Sequence, residues 1–279
     1  MKGCFNLLNK IGYFSIASGS SGNCSVFFCG DTIILIDIGV SVRKLNNALA
    51  SLGLTVDMLD AVLITHEHSD NIKGLSTFAK KYDVPVFITE GTARAVLQKI
   101  PHAQDIIHTF IGSESFSIKS VQIDSFLTPH DANESVGFIL TCKEITFGFA
   151  TDLGFMPLRI KNMLCKCDFV VIEANHDIDM LKNNTIYPYQ LKQRVLGNFG
   201  HLSNAACAEC ILDLVQNGVK TIVLAHLSEK NNTPVKALRY INQMLFTSGI
   251  TCELFVAPVN EMEKPIFCEM EVDKCLALG

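Results

Sequence analysis

Apolar and polar positions divide the chain into two kinds of segment. Short runs that are apolar throughout, or rich in β-branched and aromatic residues, predict strands at 13–17, 24–29, 32–36, 61–65, 86–89, 116–127, 137–142, 145–150, 169–173, 221–225, 252–256 and 266–270. Apolar residues spaced three and four apart predict helices at 43–52, 92–99, 187–199, 204–216 and 234–247, and one capped by Ser69 that runs to about residue 81. Strands are grouped first and alternate with helices later, without an internal repeat, a low-complexity tract or a linker. The pattern predicts one α/β domain over 1–279, a four-layered αββα sandwich of two sheets with helices outside.

Where the predicted strands stop, ligand-type residues begin. Ile36 is followed by Asp37; Thr65 by His66, His68 and Asp70; Leu127 leads to His130; Ala150 to Asp152; and Ala225 is followed by His226. Rigid strand ends are good places to hold a metal, because the scaffold fixes the donor positions. A single histidine in such a place is more often an ordinary surface or core residue, whereas five ends of this kind in one chain point to a metal site.

Composition narrows the setting. The chain has 279 residues, 48% of them hydrophobic, enough for a buried core and unlike a disordered chain. No apolar stretch reaches the roughly 18–20 residues of a membrane span. The start, MKGCFNLLNKIG, lacks the long apolar core of a secretory signal, so the expectation is a cytoplasmic protein without a membrane partner. The net charge of −5 gives no bulk attraction for a polyanion, so any such substrate must be drawn in locally. Eleven cysteines are many, but Cys207 and Cys210 lie in a helical pattern and no second CxxC completes a zinc set. Reduced, mostly buried thiols are the expectation.

The ordered set HxHxD, a distant His, a distant Asp and a final His resembles the signature of the metallo-β-lactamase fold, over about residues 13–256. It is most similar to the YycJ/WalJ-like nuclease branch. That likeness is carried by ASGSSGN at 17–23, THEHSDNIKG at 65–74, PHDA at 129–132, ATDLG at 150–154, EANHD at 173–177, GHLSN at 200–204 and HLSEKNNTP at 226–234. The resemblance implies two divalent metal ions, Mn or Zn. One is held by His66, His68, His130 and a bridging Asp152, the other by Asp70, Asp152 and His226, with a shared hydroxide as nucleophile. It implies a phosphodiesterase acting on nucleic acid, a 5′ to 3′ DNA exonuclease, in which Asp70 is essential to catalysis. His201 would bind phosphate or protonate the leaving group, and Glu173 would orient the site histidines. Asp37 is expected behind a ligand histidine, the loop 18–23 and the stretch Lys230, Asn231 and Asn232 near phosphate, and His176 and Asp177 nearby without an assigned role. RNA-processing relatives carry a large inserted clamp domain, for which this chain has no room between Asp152 and His226. A hydrolase of small esters, lactones or thioesters is the rival enzyme class, and a catalytically silent binding protein is the rival of another kind.

One position departs from the family pattern HxHxDH, which ends here in Asn71. An amide offers a neutral oxygen on a shorter arm, so Asn71 is expected to be a weak or lost ligand. The second metal position would then be richer in oxygen and better suited to Mn²⁺ or Mg²⁺. Three interpretations stand side by side: an active enzyme with altered metal preference, an introduced inactivating change, and a slow or silent homologue.

Overall fold

The strand-forming runs assemble into two seven-stranded sheets in the computed structural model, which describes residues 10–268. The first sheet contains β1 (Ile11–Ala17), β2 (Cys24–Cys29), β3 (Thr32–Ile36), β4 (Ala61–Leu63), β5 (Val86–Thr89) and β6 (Ile107–Phe110), with β14 (Ile266–Cys268) beside β1. The second is ordered β13 (Glu253–Val256), β12 (Thr221–Ala225), β11 (Phe169–Glu173), β10 (Ile145–Ala150), β9 (Val136–Cys142), β8 (Val121–Leu127) and β7 (Ser115–Ile118). Central strands such as β1, β3, β11 and β12 are buried at every residue, which is why they read as unbroken apolar runs rather than alternating ones.

Aromatic rings join the two sheets. Phe147 of the second sheet packs at 5.2 Å from Phe27 and 5.8 Å from Tyr13 of the first, and at 4.8 Å from Phe169. Full burial of each such side chain contributes about 1.5–3 kcal/mol. The helices α1 (Val42–Ser51), α2 (Ser69–Ile72), α3 (Leu75–Ala79) and α4 (Glu90–Lys99) cover the outer face of the first sheet. On the second sheet's outer face lie α5 (Leu158–Leu164), α8 (Asn204–Gln216) and α9 (Pro234–Thr247), while α6 (Ile178–Asn183) and α7 (Tyr189–Leu196) sit at its end. The result is the helix–sheet–sheet–helix layering expected from the sequence.

Several predicted elements are corrected. The single strand 116–127 is a hairpin, β7–β8, because Lys119 takes a left-handed conformation (φ 49°) and turns the chain without the usual glycine. The long helix from Ser69 is two short ones, and His68, not Ser69, occupies the N-cap. The break falls at Gly74, where a Cβ would lie 2.1 Å from the Val40 carbonyl oxygen, so the chain must bend around a backbone that approaches this closely. The helix at 187–199 shrinks to α7, bounded by Pro188 and Gly197. Strand 61–65 ends at Leu63, since the Thr65 backbone N–H donates to Asp37 instead of a neighbouring strand. β6, α5 and α6 were not anticipated. Part of the predicted strand 266–270 lies outside the described residues. Cys29 and Cys142, on facing strands with Cα atoms 6.5 Å apart, are paired as a disulfide, against the expectation of free thiols throughout.

The consequence for function is directional. β3 and β4 run parallel, β10, β11 and β12 run parallel, and β8 shares the direction of β10 through β9. The segments that follow β3, β4, β8, β10 and β12 carry most of the candidate ligands, Glu173 ends β11, and His201 comes from the turn between α7 and α8.

Candidate metal centre

Two clusters of donors form at these strand ends. His66, His68 and His130 make one; Asp152, Glu173, His201 and His226 make the other. In each, the ligand-type atoms lie within 4.8 Å of one another.

The loop after β4 builds the first cluster. Thr65 has one hydroxyl proton, and it goes to Asp37, 2.9 Å from Oδ2. Its oxygen therefore accepts from Asn71 Nδ2 at 3.0 Å and from His66 Nδ1 at 3.0 Å. That assignment leaves His66 Nε2 with a lone pair, pointed at His68 Nδ1 3.0 Å away. His130 is arranged the same way: Nδ1 donates to the Gly200 carbonyl at 3.1 Å, and Nε2 faces His68 Nδ1 at 3.2 Å. A hydrogen bond to the far nitrogen is what aims a metal-binding imidazole. Three ring nitrogens converge with at most one proton to share among them, an arrangement that calls for a cation. Burial lowers the proton affinity of both His130 and His66, the latter down to about 4, so both are neutral at pH 7 with lone pairs available.

Asp152 stands between the clusters. Its Oδ1 lies 3.7 Å from His130 Nε2, 3.7 Å from His201 Nδ1 and 3.3 Å from His226 Nδ1. Its Oδ2 is buried and has no hydrogen-bond partner. Burial alone would raise the Asp152 carboxyl, but its attraction to the surrounding imidazoles, His226 foremost, outweighs it and holds the group far below the usual carboxylate range. An orphaned, ionised oxygen in a buried place is costly without a cation to meet it.

Behind the second cluster, fully buried Glu173 accepts from four donors. Oε1 meets His201 Nδ1 at 2.7 Å and His226 Nδ1 at 2.8 Å; Oε2 accepts from the backbone N–H of Leu153 at 2.9 Å and Leu202 at 3.0 Å. With Nδ1 tied to Glu173, His226 Nε2 is left buried and without a hydrogen-bond partner, with Asp70 Oδ2 3.5 Å away. Burial disfavours the charged form of His226, yet the Asp152 charge and its other carboxylate neighbours overcome this and raise it well above the ordinary value. The orphaned Asp152 and His226 atoms, with the neutral imidazoles of the first cluster, fit a divalent cation centre. Asp37, Asp152 and His226 also share a left-handed backbone, with φ of 61°, 58° and 55°. Strain of this kind at three strand ends concentrates where function is built.

Other expected residues fall differently. Asp70 belongs to neither cluster; its Oδ2 accepts from Asn23 Nδ2 at 3.1 Å. Asn71 is fully buried and its amide is already engaged. Nδ2 donates to Asp37 Oδ2 at 2.9 Å and to Thr65, and Oδ1 accepts from Asn23 Nδ2 at 3.2 Å. Asp37 reaches His66 only through Thr65, not directly as expected; burial pushes its carboxyl up to about 8 against the bonds from Thr65 and Asn71. Asn71→Ala would strip buried Asp37 of a donor and Asn23 of an acceptor. We expect it to lower stability by about 1–3 kcal/mol, read from the midpoint of urea unfolding.

The loop 18–23 serves the scaffold as well as the site mouth. Ser18 Oγ accepts from the His226 backbone N–H at 2.8 Å, and the Asn23 N–H donates to the Asp70 carbonyl at 2.7 Å. Asn232 is internal, donating to the Ala174 carbonyl at 2.8 Å and to Asn204, and Asn231 is buried against Ser228 and Asn184. Neither is free to reach along a sugar-phosphate chain, whereas Lys230 is exposed. His176 is buried outside both clusters, and Asp177 caps α6 and pairs with Lys236 at 3.2 Å. His102 and His108 are surface residues, as expected. Asn23 and the Asp131–Arg194 ion pair were not anticipated. The closing asparagine of SGSSGN was the available signal for the first; the second has no local one.

Comparison with known proteins agrees with this geometry. Residues 32–227 match the model of the β-lactamase superfamily domain. The chain is 35% identical over 245 residues to the exodeoxyribonuclease WalJ of Streptococcus pneumoniae, covering 85% of this chain and 90% of that protein. It is 33% identical over 241 residues to the exodeoxyribonuclease YycJ of Bacillus anthracis, with the same coverage of 85% and 90%. Among solved structures, the metallo-β-lactamase fold protein YhfI of Bacillus subtilis superposes with a TM-score of 0.69 at 16% identity, over 91% of this chain and all of that one. Zn²⁺-bound PqqB of Methylobacterium extorquens superposes with a TM-score of 0.63 at 14% identity, over 92% and 99% of the two chains. Layered sheets, donor clusters at their shared end and these similarities together make the chain a member of the β-lactamase superfamily, a metal-dependent hydrolase of the metallo-β-lactamase fold.

Proposed function

We propose that the protein is a metal-dependent phosphodiesterase that degrades DNA as an exonuclease, from the 5′ end, in the cytoplasm. The observation that carries the site reading is Asp152, ionised and half unpaired between two groups of imidazoles. Similarity to two exodeoxyribonucleases over 85% of the chain supports the substrate class. No helix among the described residues is long and apolar enough to cross a membrane.

In this reading His66, His68 and His130 would hold one metal and Asp70 and His226 the other, with Asp152 available to both, Mn²⁺ or Zn²⁺ as the expected ions and no ligand from Asn71. Bound divalent ions would acidify water and neutralise charge on the phosphodiester. The protein's own groups do the rest. Glu173 is a positioning residue that fixes the tautomers of His201 and His226. Burial disfavours a charged His201, but the Glu173 carboxylate outweighs it and raises its proton affinity. With Nδ1 on Glu173 and 19% of its side chain open to solvent, His201 is placed to present a proton to the departing alkoxide. The stretch between Asp152 and His226 is occupied by α5, β11, α6, α7, α8 and β12, so we read the chain as one domain without a clamp insertion.

The test is incubation with Mn²⁺ or Zn²⁺ and 5′-labelled single- and double-stranded DNA, bis-p-nitrophenyl phosphate and a thioester. Stepwise shortening of DNA is expected. Turnover of the thioester alone would replace this reading with the ester-hydrolase one, and metal binding without any turnover would favour a silent binding protein.

A further inference from the structure

A cleft of about 190 Å³ opens beside His201 and is lined on one side by Tyr187, Leu191, Arg194 and Val195. These residues come from α7 and the turn before it, so one face of α7 forms a wall of the site. Around this wall, the segment 186–199 is unusual in the apolar side chains it exposes. Tyr189 is 71% exposed and Ile186 74%, and just beyond the helix Phe199 is 62% exposed. Phe199 is held against the site, because its carbonyl accepts from the Asp131 backbone N–H at 3.1 Å, next to His130.

The charge pattern of the same segment runs against the rest of the chain. Overall the protein is acidic, at −5, yet residues 180–208 contain no Asp or Glu and carry Lys182, Lys192 and Arg194. Arg194 is anchored by Asp131 and keeps 55% of its side chain in solvent; Lys192 donates to the Lys182 carbonyl at 2.7 Å. Exposed rings interleaved with anchored bases, continuous with a catalytic cleft, match the demands of a flexible polyanion whose bases are unstacked. Aromatic faces receive bases of any sequence, and cations track the backbone. Duplex DNA keeps its bases stacked and would leave the rings without partners.

We propose that α7 and Phe199 form a track for single-stranded nucleic acid that leads to the metal centre, with Tyr189 and Phe199 stacking on bases and Lys192 and Arg194 meeting phosphates. The proposal rests on the nuclease reading above and adds which strand form is held and by what. It also gives a physical substitute for a clamp domain: a short stacking rail rather than an enclosing arm.

The experiment is fluorescence anisotropy of a labelled 20-mer of thymidylate against metal-free protein in EDTA, where no cleavage occurs. Tyr189→Ala and Phe199→Ala should each weaken binding roughly tenfold, while Tyr189→Phe should restore it and Phe246→Ala, an exposed ring at the far end of α9, should leave it unchanged. Lys192→Gln should reduce the slope of log affinity against log salt by about 0.7. Tyr189, Phe199 and Phe246 are exposed and Lys192 is half-buried at the surface, so a change in folding would appear in the urea midpoint and is not expected. Affinities within twofold of the unaltered protein for both alanine variants would overturn the track. So would variants that lose only capture by anionic vesicles, or only self-association. An unaltered protein that neither binds nor shortens any oligonucleotide would instead overturn the nuclease reading itself.

Discussion

Asp152→Ala is expected to eliminate hydrolysis, with a loss of roughly 10³-fold or more, while leaving the fold intact. Asp152 is 2% exposed, and among the described residues it is the one carboxylate that contacts histidines of both clusters. Removing it takes away the negative charge on which a cation at either cluster depends, and it leaves only Asp70 and Glu173 to raise the proton affinity of His226. Metal content measured by mass spectrometry should fall together with activity. Stripping the unaltered protein with EDTA should reproduce the loss, and added Mn²⁺ or Zn²⁺ should reverse it. Full activity in Asp152→Ala, or in the chelated protein, would show that the hydrolysis observed does not come from this centre.

Glu173→Gln should do comparable damage by a different route. Glu173 accepts from two imidazole N–H groups through one oxygen and from two backbone N–H groups through the other. A glutamine has one oxygen and one NH₂, so whichever way it is placed, donors face donors in a fully buried site. The cost is about 1–3 kcal/mol of stability, and His226 loses the partner that aims Nε2. Metal affinity should drop by roughly 10–100-fold, the usual consequence of removing the group that orients a ligand. The pH dependence separates this from a generic packing defect. In the metal-free protein, burial alone would raise the Glu173 carboxyl, but the His201 and His226 charges and hydrogen bonds win and bring it down to about 2, against 4.5 when unfolded. A depressed carboxyl contributes stability that is present above 4.5 and lost as the pH falls toward 2. The unaltered metal-free protein should therefore lose stability across that window, and Glu173→Gln should show a shallower slope. Equal slopes would mean that the carboxylate is not the group holding these histidines.

Much of the architecture was legible in local sequence because it is produced by local forces. Strands such as 24–29 and 221–225 are apolar at nearly every position, and the structure keeps those bounds unchanged. The helix at 204–216 is announced by Ser203, whose side chain accepts from the Ala206 N–H, and the one at 234–247 by Thr233 and Pro234. Breaks without a conventional signal were missed. Lys119 turns a hairpin in a left-handed conformation, and the helix after Ser69 is interrupted because Gly74 is needed against Val40, a neighbour thirty-odd positions away in the chain.

For the site, the sequence by itself determined which residue types stand at strand ends: Asp37, His66, His68, His130, Asp152 and His226. Their identity and spacing are enough to specify a metal-binding chemistry. Only the tertiary structure decided how they are shared. It places Asp152 among imidazoles from three loops, gives Glu173 to His201 and His226 at once, and turns Asn71 inward to Asp37 and Thr65. The chain reaches that arrangement through close backbone contacts; at Gly39 a Cβ would lie 1.6 Å from the Asp70 carbonyl oxygen. The physical reason for the division is range. Strand and helix formation depend on neighbours a few residues apart, whereas the direction of a lone pair depends on a hydrogen bond to a group that only folding brings near, from as far as the 53 positions that separate His226 from Glu173.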